Sequence, residues 1–373
     1  MSVAARPRVA ALLPLAVAAC SIPADPRGAS SATDAATPAP TALASGDARA
    51  ANTPPGRPAS PCGGGKRLTV RFFDVGEGLA ALVALPDGRH VLVDAGDGPK
   101  RAGCGAPCER RDRHMHDRIR DALRTPDATD PTLDLLWITH QHADHIGGAP
   151  DVLGAFRTRL YVDNGRDGRK PEVRRARVAA RARGTELTVV DPAHRVVPLP
   201  ASRDVALTAV VPPTWPAACD HDPNECSIGL RIDYCASSVL FTGDAEHDEE
   251  ALLDPGGPVT LLQVGHHGSE TSTTPALLAK AHPKYAVISA GKPDEGYNRA
   301  FCHPRANVVR RLTRLLGGAT GKTLDAFDGE RCDRAVPADW TAVPTSDAIW
   351  ATERDGDVLL VTTGDGVFHR EGS

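Results

Sequence analysis

Short apolar runs separated by glycine, proline and acidic turns recur through this chain, and their period sets the expected elements. Residues 68–73 alternate toward a strand, Gly76 and Gly78 punctuate it, and residues 79–85 read as its partner. Pro86-Asp87-Gly88 predicts a turn, and Val91-Leu92-Val93 is then a buried strand ending in Asp94-Ala95-Gly96. Residues 97–113 read as a loop and 114–124 as a charged helix with Met115, Ile119 and Leu123 on one stripe. An apolar strand is expected at 133–138, a helix at 151–156 and a strand at 160–162, followed by a basic helix and strands at 187–190 and 205–211. Residues 228–234 and 238–241 read as a hairpin or successive strands, and 259–264 and 285–289 as apolar strands separated by a helix at 275–281. An amphipathic helix at 305–316 carries Val308, Val309, Leu312, Leu315 and Leu316, and 358–362 is a late strand. Strands and helices mix throughout, with strand clusters in each half, so the fold class is α/β with two sheets covered by helices.

The two ends of this pattern differ from its middle. Arg6 and Arg8 precede an apolar stretch, 9–19, too short to span a bilayer, and Val17-Ala18-Ala19-Cys20 supplies the small residues and cysteine of a lipoprotein cleavage site. Residues 1–20 are therefore expected to be an export signal, with acylation of Cys20 anchoring the chain at the cell envelope, outer membrane or cell surface; a plain secretory signal is the alternative. Residues 21–65 are rich in Ala, Pro, Ser, Thr and Gly and cannot bury a core, so they read as a disordered tether. Residues 66–373 are ample for one large domain, and no stretch after the leader is long and apolar enough for a transmembrane helix.

Cysteine and charge refine the compartment and the partners. Of nine cysteines, setting Cys20 aside leaves an even set: Cys62, Cys104, Cys108, Cys219, Cys226, Cys235, Cys302 and Cys332. In an exported chain these predict disulfides, with Cys104–Cys108 and Cys219–Cys226 as local candidates. A metal site at Cys219, His221 and Cys226 is the alternative for that cluster. The formal charge of −4 excludes a globally basic nucleic-acid binder. Locally, Arg166, Arg169, Lys170, Arg174, Arg175, Arg177, Arg181 and Arg183 face only Asp167 and Glu172, which is either a solvated helix face or a track for phosphates.

The chemistry concentrates in Thr139-His140-Gln141-His142-Ala143-Asp144-His145-Ile146-Gly147-Gly148, directly after an apolar strand. In extended backbone, side chains two apart point the same way, so His140 and His142 converge on one metal ion. Asp144 and His145 are adjacent and diverge, which suits a second ion close by. Imidazole and carboxylate ligands fit zinc, with manganese or iron as alternatives, and paired ions suit hydrolysis. Phe241-Thr242-Gly243-Asp244 places a carboxylate at a strand end, where its oxygens can bridge two ions. Val264-Gly265-His266-His267-Gly268-Ser269 places histidine at another; because consecutive strand side chains alternate, one of His266 and His267 is expected to bind metal and the other to contact substrate or donate a proton. His114 and His116, two apart on a helix, do not share a face and read as surface residues.

These motifs, with Phe73-Asp74-Val75-Gly76-Glu77-Gly78, Leu92 to Gly96, Asn224-Glu225-Cys226-Ser227, Asn298, His303-Pro304 and Asp355-Gly356-Asp357-Val358, resemble in order the metallo-β-lactamase superfamily. Within it the chain is similar to the hydrolase domain of ComEC-type competence proteins and their free-standing relatives, over roughly residues 66–370. The resemblance implies an αββα sandwich with one or two ions, zinc or manganese, at the edge between the sheets. It implies His140, His142, Asp144, His145, Asp244 and His267 as metal ligands and Asp144, His266 and His303 as catalytic groups, with Asp74 and Asp94 orienting ligands or closing a loop. Two departures stand out. Asn224 occupies the region where many members carry another metal-binding histidine, and Glu77 and Leu79 stand where the first motif usually has Gln and Asp.

The expected function is that of an exported, lipid-anchored, metal-dependent hydrolase, with a phosphodiester substrate and DNA as one such substrate. The alternatives are a phosphorylcholine or wall-polymer esterase, a β-lactamase, or a non-catalytic surface lipoprotein.

Overall fold

Strands buried on both faces demand cover on both sides, and several strands here are buried at every position. His90–Val93 and Ser237–Phe241 are two of them. The computed structural model describes residues 65–99, 105–124, 131–293 and 295–372. The expected leader at 1–20 and, apart from Gly65, the tether at 21–65 lie outside the described residues, as do Cys62 and Cys104 and hence the Cys104–Cys108 pairing.

In chain order the strands are β1 (Leu68–Phe72), β2 (Ala81–Ala84), β3 (His90–Val93), β4 (Thr132–Trp137), β5 (Arg157–Asp163), β6 (Glu186–Val189), β7 (Val205–Val210), β8 (Gly229–Tyr234) and β9 (Ser237–Phe241). They continue as β10 (Leu261–Gln263), β11 (Tyr285–Ile288), β12 (Lys322–Phe327), β13 (Trp340–Thr345), β14 (Ile349–Ala351), β15 (Val358–Thr362) and β16 (His369–Glu371). One sheet runs β16-β15-β1-β2-β3-β4-β5-β6, the other β14-β11-β10-β9-β8-β7, and β12-β13 is a separate hairpin. Strands β3 to β6 are parallel neighbours in the first sheet, and β9, β10, β11 and β14 in the second. Parallel strands bring their carboxyl ends to one edge, and that edge is where ligands bind in such sheets.

Between the sheets lies a core built from Phe72, Val83, Leu135 and Trp137 of one and Ile232, Phe241 and Leu261 of the other. Phe72 and Phe241 meet across it with ring centroids 5.8 Å apart, and the Trp137 indole donates to the Ile228 carbonyl at 2.8 Å. The helices are α1 (Ala106–Leu123), α2 (Ala143–Ile146), α3 (Ala149–Ala155), α4 (Pro171–Ala182), α5 (His247–Leu252), α6 (Pro275–Ala281), α7 (Asn298–Phe301), α8 (Ala306–Leu315) and α9 (Thr352–Asp355). Met115 and Ile119 of α1, Val152 of α3 and Val173 and Ala176 of α4 cover the first sheet. Leu278 of α6 and Val308, Val309 and Leu312 of α8 cover the second. The layers are therefore α, β, β, α, the expected sandwich. Among the described residues no helix is long and apolar enough to cross a membrane.

The element boundaries differ from the sequence pattern in instructive places. Helix α1 starts at Ala106 with Pro107 in its first turn, so most of the expected loop before His114 is helical. His116, expected on the surface, is half-buried and packs edge-on against Phe156 at 5.6 Å, whereas His114 reaches Asp357 Oδ2 at 3.0 Å. Cys219 and Cys226 form a disulfide, which removes the alternative metal site at Cys219, His221 and Cys226; Cys302 and Cys332 form another.

Candidate metal centre

The histidine run leaves β4 extended through His142, which has φ −76° and ψ 149°, and this backbone sets the imidazoles of His140 and His142 side by side with centroids 4.9 Å apart. The chain then turns helical at Ala143, before the glycines, and again at Ala149, after them. The helical turn is why Asp144 and His145 converge instead of diverging: both reach toward the same point, with His145 Nε2 4.0 Å from Asp144 Oδ2. Gly148 makes the packing behind the run possible, because a Cβ there would run into the Ala95 carbonyl oxygen.

Asp244, from the loop after β9, and His267, from the loop after β10, complete the group from the second sheet. Asp144, His145, Asp244 and His267 each offer a ligand atom within 4.8 Å of the others. His145 Nε2 lies 3.1 Å from Asp244 Oδ2 and 3.2 Å from His267 Nε2, and His267 Nε2 lies 3.3 Å from Asp144 Oδ2. The far ring nitrogens fix the tautomers. His267 Nδ1 donates to the Ser289 carbonyl at 2.7 Å, and His145 Nδ1 donates to Asp94 Oδ2 at 2.7 Å. Asp94 is itself held by the backbone N–H and hydroxyl of Thr139, each at 2.7 Å. With each Nδ1 committed to its own acceptor, two Nε2 atoms and two carboxylates point at one small volume, where protons on those nitrogens or a cation in their place offset the carboxylates. A cation is what such a donor set accommodates, and the donors suit zinc, iron or manganese.

Electrostatics agree. Burial alone would depress the His145 imidazolium, but Asp244, Asp94 and Asp144 outweigh it and push it up to about 10. Burial would raise Asp244 and Asp144, yet the surrounding imidazoles, His145 foremost, hold both well below the usual carboxylate range. His140 and His142 are depressed, chiefly by burial, and so present neutral, ligating rings. His140 is fully buried, and its Nε2 has no hydrogen-bond partner 3.9 Å from Asp244 Oδ2.

His266 and His267 are not in a strand. Both sit in a tight turn with left-handed φ of 47° and 54°, a conformation held only where surrounding structure over-determines it. The turn sends the two side chains apart: His267 enters the cluster, while His266 Nδ1 bonds Glu246 Oε1 at 2.9 Å. Burial opposes the charged ring of His266, but Asp244 and Glu246 raise it overall. His303 Nδ1 bonds Glu77 Oε1 at 2.8 Å, and Asn298 holds the His303 backbone through its N–H at 2.6 Å and its carbonyl at 2.5 Å. Asp74 closes its own loop, accepting from the Gly76 N–H at 3.2 Å and pairing with Arg111 at 3.4 Å. Glu246 carries no motif of its own in the sequence; only its position two residues beyond Asp244 hints at it.

One cavity of about 620 Å³ is lined by His142, Asp144, Asp244, His266, His267 and His303. Beside it, a groove of about 290 Å³ shares His142 and is lined by Arg166, Lys170 and His221. Both cations are paired within this groove, Arg166 with Asp220 at 3.1 Å and Lys170 with Asp167 at 2.9 Å; further along the segment Arg177 makes two hydrogen bonds to Asp163, and Arg175 pairs with Glu172.

Fold and site together define a class: an αββα sandwich with a His/Asp cluster at the carboxyl ends of its strands, as in metal-dependent hydrolases. The chain belongs to the metallo-beta-lactamase superfamily, whose model matches residues 73–292. It is 30% identical over 249 residues to Recombination protein 2 of Haemophilus influenzae, covering 66% of this chain and 26% of that protein. It is 28% identical over 253 residues to ComE operon protein 3 of Bacillus subtilis, covering 66% of this chain and 30% of that protein. A ribonuclease Z of Clostridium beijerinckii is 28% identical over 134 residues, 35% of each chain. The chain thus spans between a quarter and a third of the length of the first two.

Proposed function

We propose that the chain is a metal-dependent phosphodiesterase that cleaves nucleic acid, with DNA as the leading substrate. The observation that carries this reading is the His/Asp cluster with the groove beside it: Arg166 and Lys170, paired with Asp220 and Asp167, border the same His142 that faces the main cavity, where a phosphate next to the scissile one can exchange for those carboxylates. Relatives named for recombination, for the ComE operon and as a ribonuclease support the same substrate class.

His145, His267, Asp144 and Asp244 would hold one ion, and His140, His142 and Asp244 are the residues placed for another. Zinc fits both sets, and manganese is the alternative. Ions held there would supply hydroxide at neutral pH and offset charge on the phosphoryl oxygens. The protein's own part is proton management. His266 and His303 both border the cavity outside the cluster, and each is backed by a carboxylate, Glu246 or Glu77. A ring oriented in this way can carry a proton to the departing oxygen as its bond to phosphorus breaks. In the same reading residues 1–20 export the chain and Cys20 anchors it by lipid. The disulfides Cys219–Cys226 and Cys302–Cys332 support an oxidising compartment.

The test is turnover by the purified protein, with zinc or manganese, of plasmid DNA, bis-p-nitrophenyl phosphate, a phosphorylcholine ester and nitrocefin. Phosphodiesters should be cleaved, and Asp244→Ala should lose at least about a thousandfold while keeping its circular dichroism. Replacing Arg166 and Lys170 by Ala should weaken action on DNA about tenfold and spare bis-p-nitrophenyl phosphate. Nitrocefin or phosphorylcholine turnover without DNA cleavage would overturn the proposal.

A further inference from the structure

Phe301 breaks the rule that large aromatic side chains are covered. The other six phenylalanines are at most 3% exposed, whereas Phe301 is 47% exposed and lines the cavity at the cluster. A series of ring contacts leads to it from His142 through His140, His145, His267 and His303, at centroid separations of 4.9, 4.1, 5.1, 6.1 and 6.1 Å. His142 borders the basic groove at one end of that series, and Phe301 stands at the other. Tyr297 meets the Phe301 ring edge-on at 6.1 Å and lines the same cavity.

The segment that carries Phe301 is braced. Asn298 bonds both the N–H and the carbonyl of His303, and its amide also donates to the Gly291 carbonyl at 2.7 Å. Cys302, next to Phe301, has a left-handed φ of 56° and is tied to Cys332 by a disulfide. An aromatic ring held out on fixed backbone loses little entropy when a ligand covers it. Arg305, two residues beyond His303, lines the cavity as well, and its backbone N–H donates to the Gly268 carbonyl beside His267 at 2.9 Å. Its guanidinium carbon lies 4.9 Å from the Phe327 ring centroid, and its contact with exposed Glu270 is stretched to 4.0 Å. Its Nε is buried without a hydrogen-bond partner among the described residues. A guanidinium so loosely paired is available to an anion, and its fork of donors matches a phosphate.

We infer that residues 297–305 form a nucleotide subsite in which Phe301 stacks an unpaired base and Arg305 holds a phosphate of the same strand. This rests on the nucleic-acid reading above and deepens it by naming the form of the substrate. Inside a duplex the faces of each base are covered by its neighbours, so a protein ring stacks on bases that are single-stranded or splayed out. A single strand then runs from the basic groove at His142, past the cluster, to Phe301, with phosphates toward Arg166 and Lys170 at one end and Arg305 at the other. Every base has a π face, so the Phe301 contact reads strandedness and leaves sequence unread.

The experiment compares two labelled single strands of equal length, one carrying bases and one made of abasic residues, so that the phosphates match. Binding to the full-length protein is read by fluorescence anisotropy in chelator, and KM and kcat are read with Mn²⁺ or Zn²⁺. The wild type should bind the base-bearing strand about tenfold more tightly, a preference that appears in KM rather than kcat. Phe301→Ala should erase that preference, and Phe301→Trp should keep or enlarge it. Arg305→Gln should weaken both strands alike and reduce the slope of log affinity against log salt by about 0.7. The same preference in the wild type and Phe301→Ala would overturn the inference, as would a wild type that binds duplex more tightly than single strand. An unchanged salt slope in Arg305→Gln would overturn its phosphate half. Base-dependent binding through Phe301 without cleavage under either metal would uphold the subsite and sink the nuclease reading, so the two fail separately.

Discussion

Asp94 shows how much of this centre depends on atoms that would never touch a metal. Its carboxylate accepts from His145 Nδ1, Thr139 N and Thr139 Oγ1, and so fixes which nitrogen of His145 faces the cluster. Asp94→Asn would oppose an N–H donor to another donor, and metal affinity should fall about 10- to 100-fold, read by competition with a chromophoric chelator. An unchanged affinity would mean the tautomer is fixed by something else. At this scale the sequence was informative where residue type and order carry the signal. His140, His142, Asp144, His145, Asp244 and one of the paired histidines could be singled out from it. It was silent where partners are remote: Glu77 and His303 meet across a separation of 226 residues, and the Ser289 carbonyl has no side-chain signature at all. The expected divergence of Asp144 and His145 failed for a local reason, since a helix begins at Ala143 and replaces the strand rule.

Among elements, apolar runs of β-branched and leucine residues made β3, β4, β9 and β11 legible, and α6 and β15 occupy the expected ranges. The hairpin of β12 and β13 was not visible. Its outward positions are Lys322, Thr323, Asp325, Ala342 and Pro344, so too few apolar residues remain to show a period. Beyond β12, the Cys302–Cys332 disulfide ties the end of α7 to residues 332–334, and Cys302 precedes His303 directly. It closes a loop of 30 residues. Replacing both cysteines by serine should cost about 3–4 kcal/mol of stability in the loop-entropy estimate. Urea unfolding would measure that cost, and a midpoint equal to the wild type would show that the packing around α7 suffices alone.

For the molecule as a whole, stability should depend on pH through Glu250. Burial outweighs its hydrogen bonds from Thr273 N and Thr274 N and pushes its carboxyl up to about 7 from 4.5. The folded state therefore keeps a proton that the unfolded chain loses. The contribution is complete below about pH 4.5 and is lost as pH rises to about 7, on the order of 3 kcal/mol. Measured against Glu250→Gln on chelated protein, the wild type should lose stability steadily across that window and hold level above it. A constant difference between the two would show that Glu250 is ionised in the folded protein at every pH tested.

The cluster also has a mechanical meaning. His145 hangs from the first sheet, Asp244 and His267 from the second, 99 and 122 residues further on. The two walls meet through the core between them and through bonds such as Trp137 Nε1 to the Ile228 carbonyl, Ile228 N to the Thr139 carbonyl and Ser237 Oγ to Thr362 Oγ1. Sliding one sheet along the other by one residue, about 3.3 Å, would separate Asp244 from His145 by more than any ion bridges. The centre is thus a vernier for sheet alignment. Anything that shears the sandwich, at a surface far from the cavity, would switch the chemistry off without entering it.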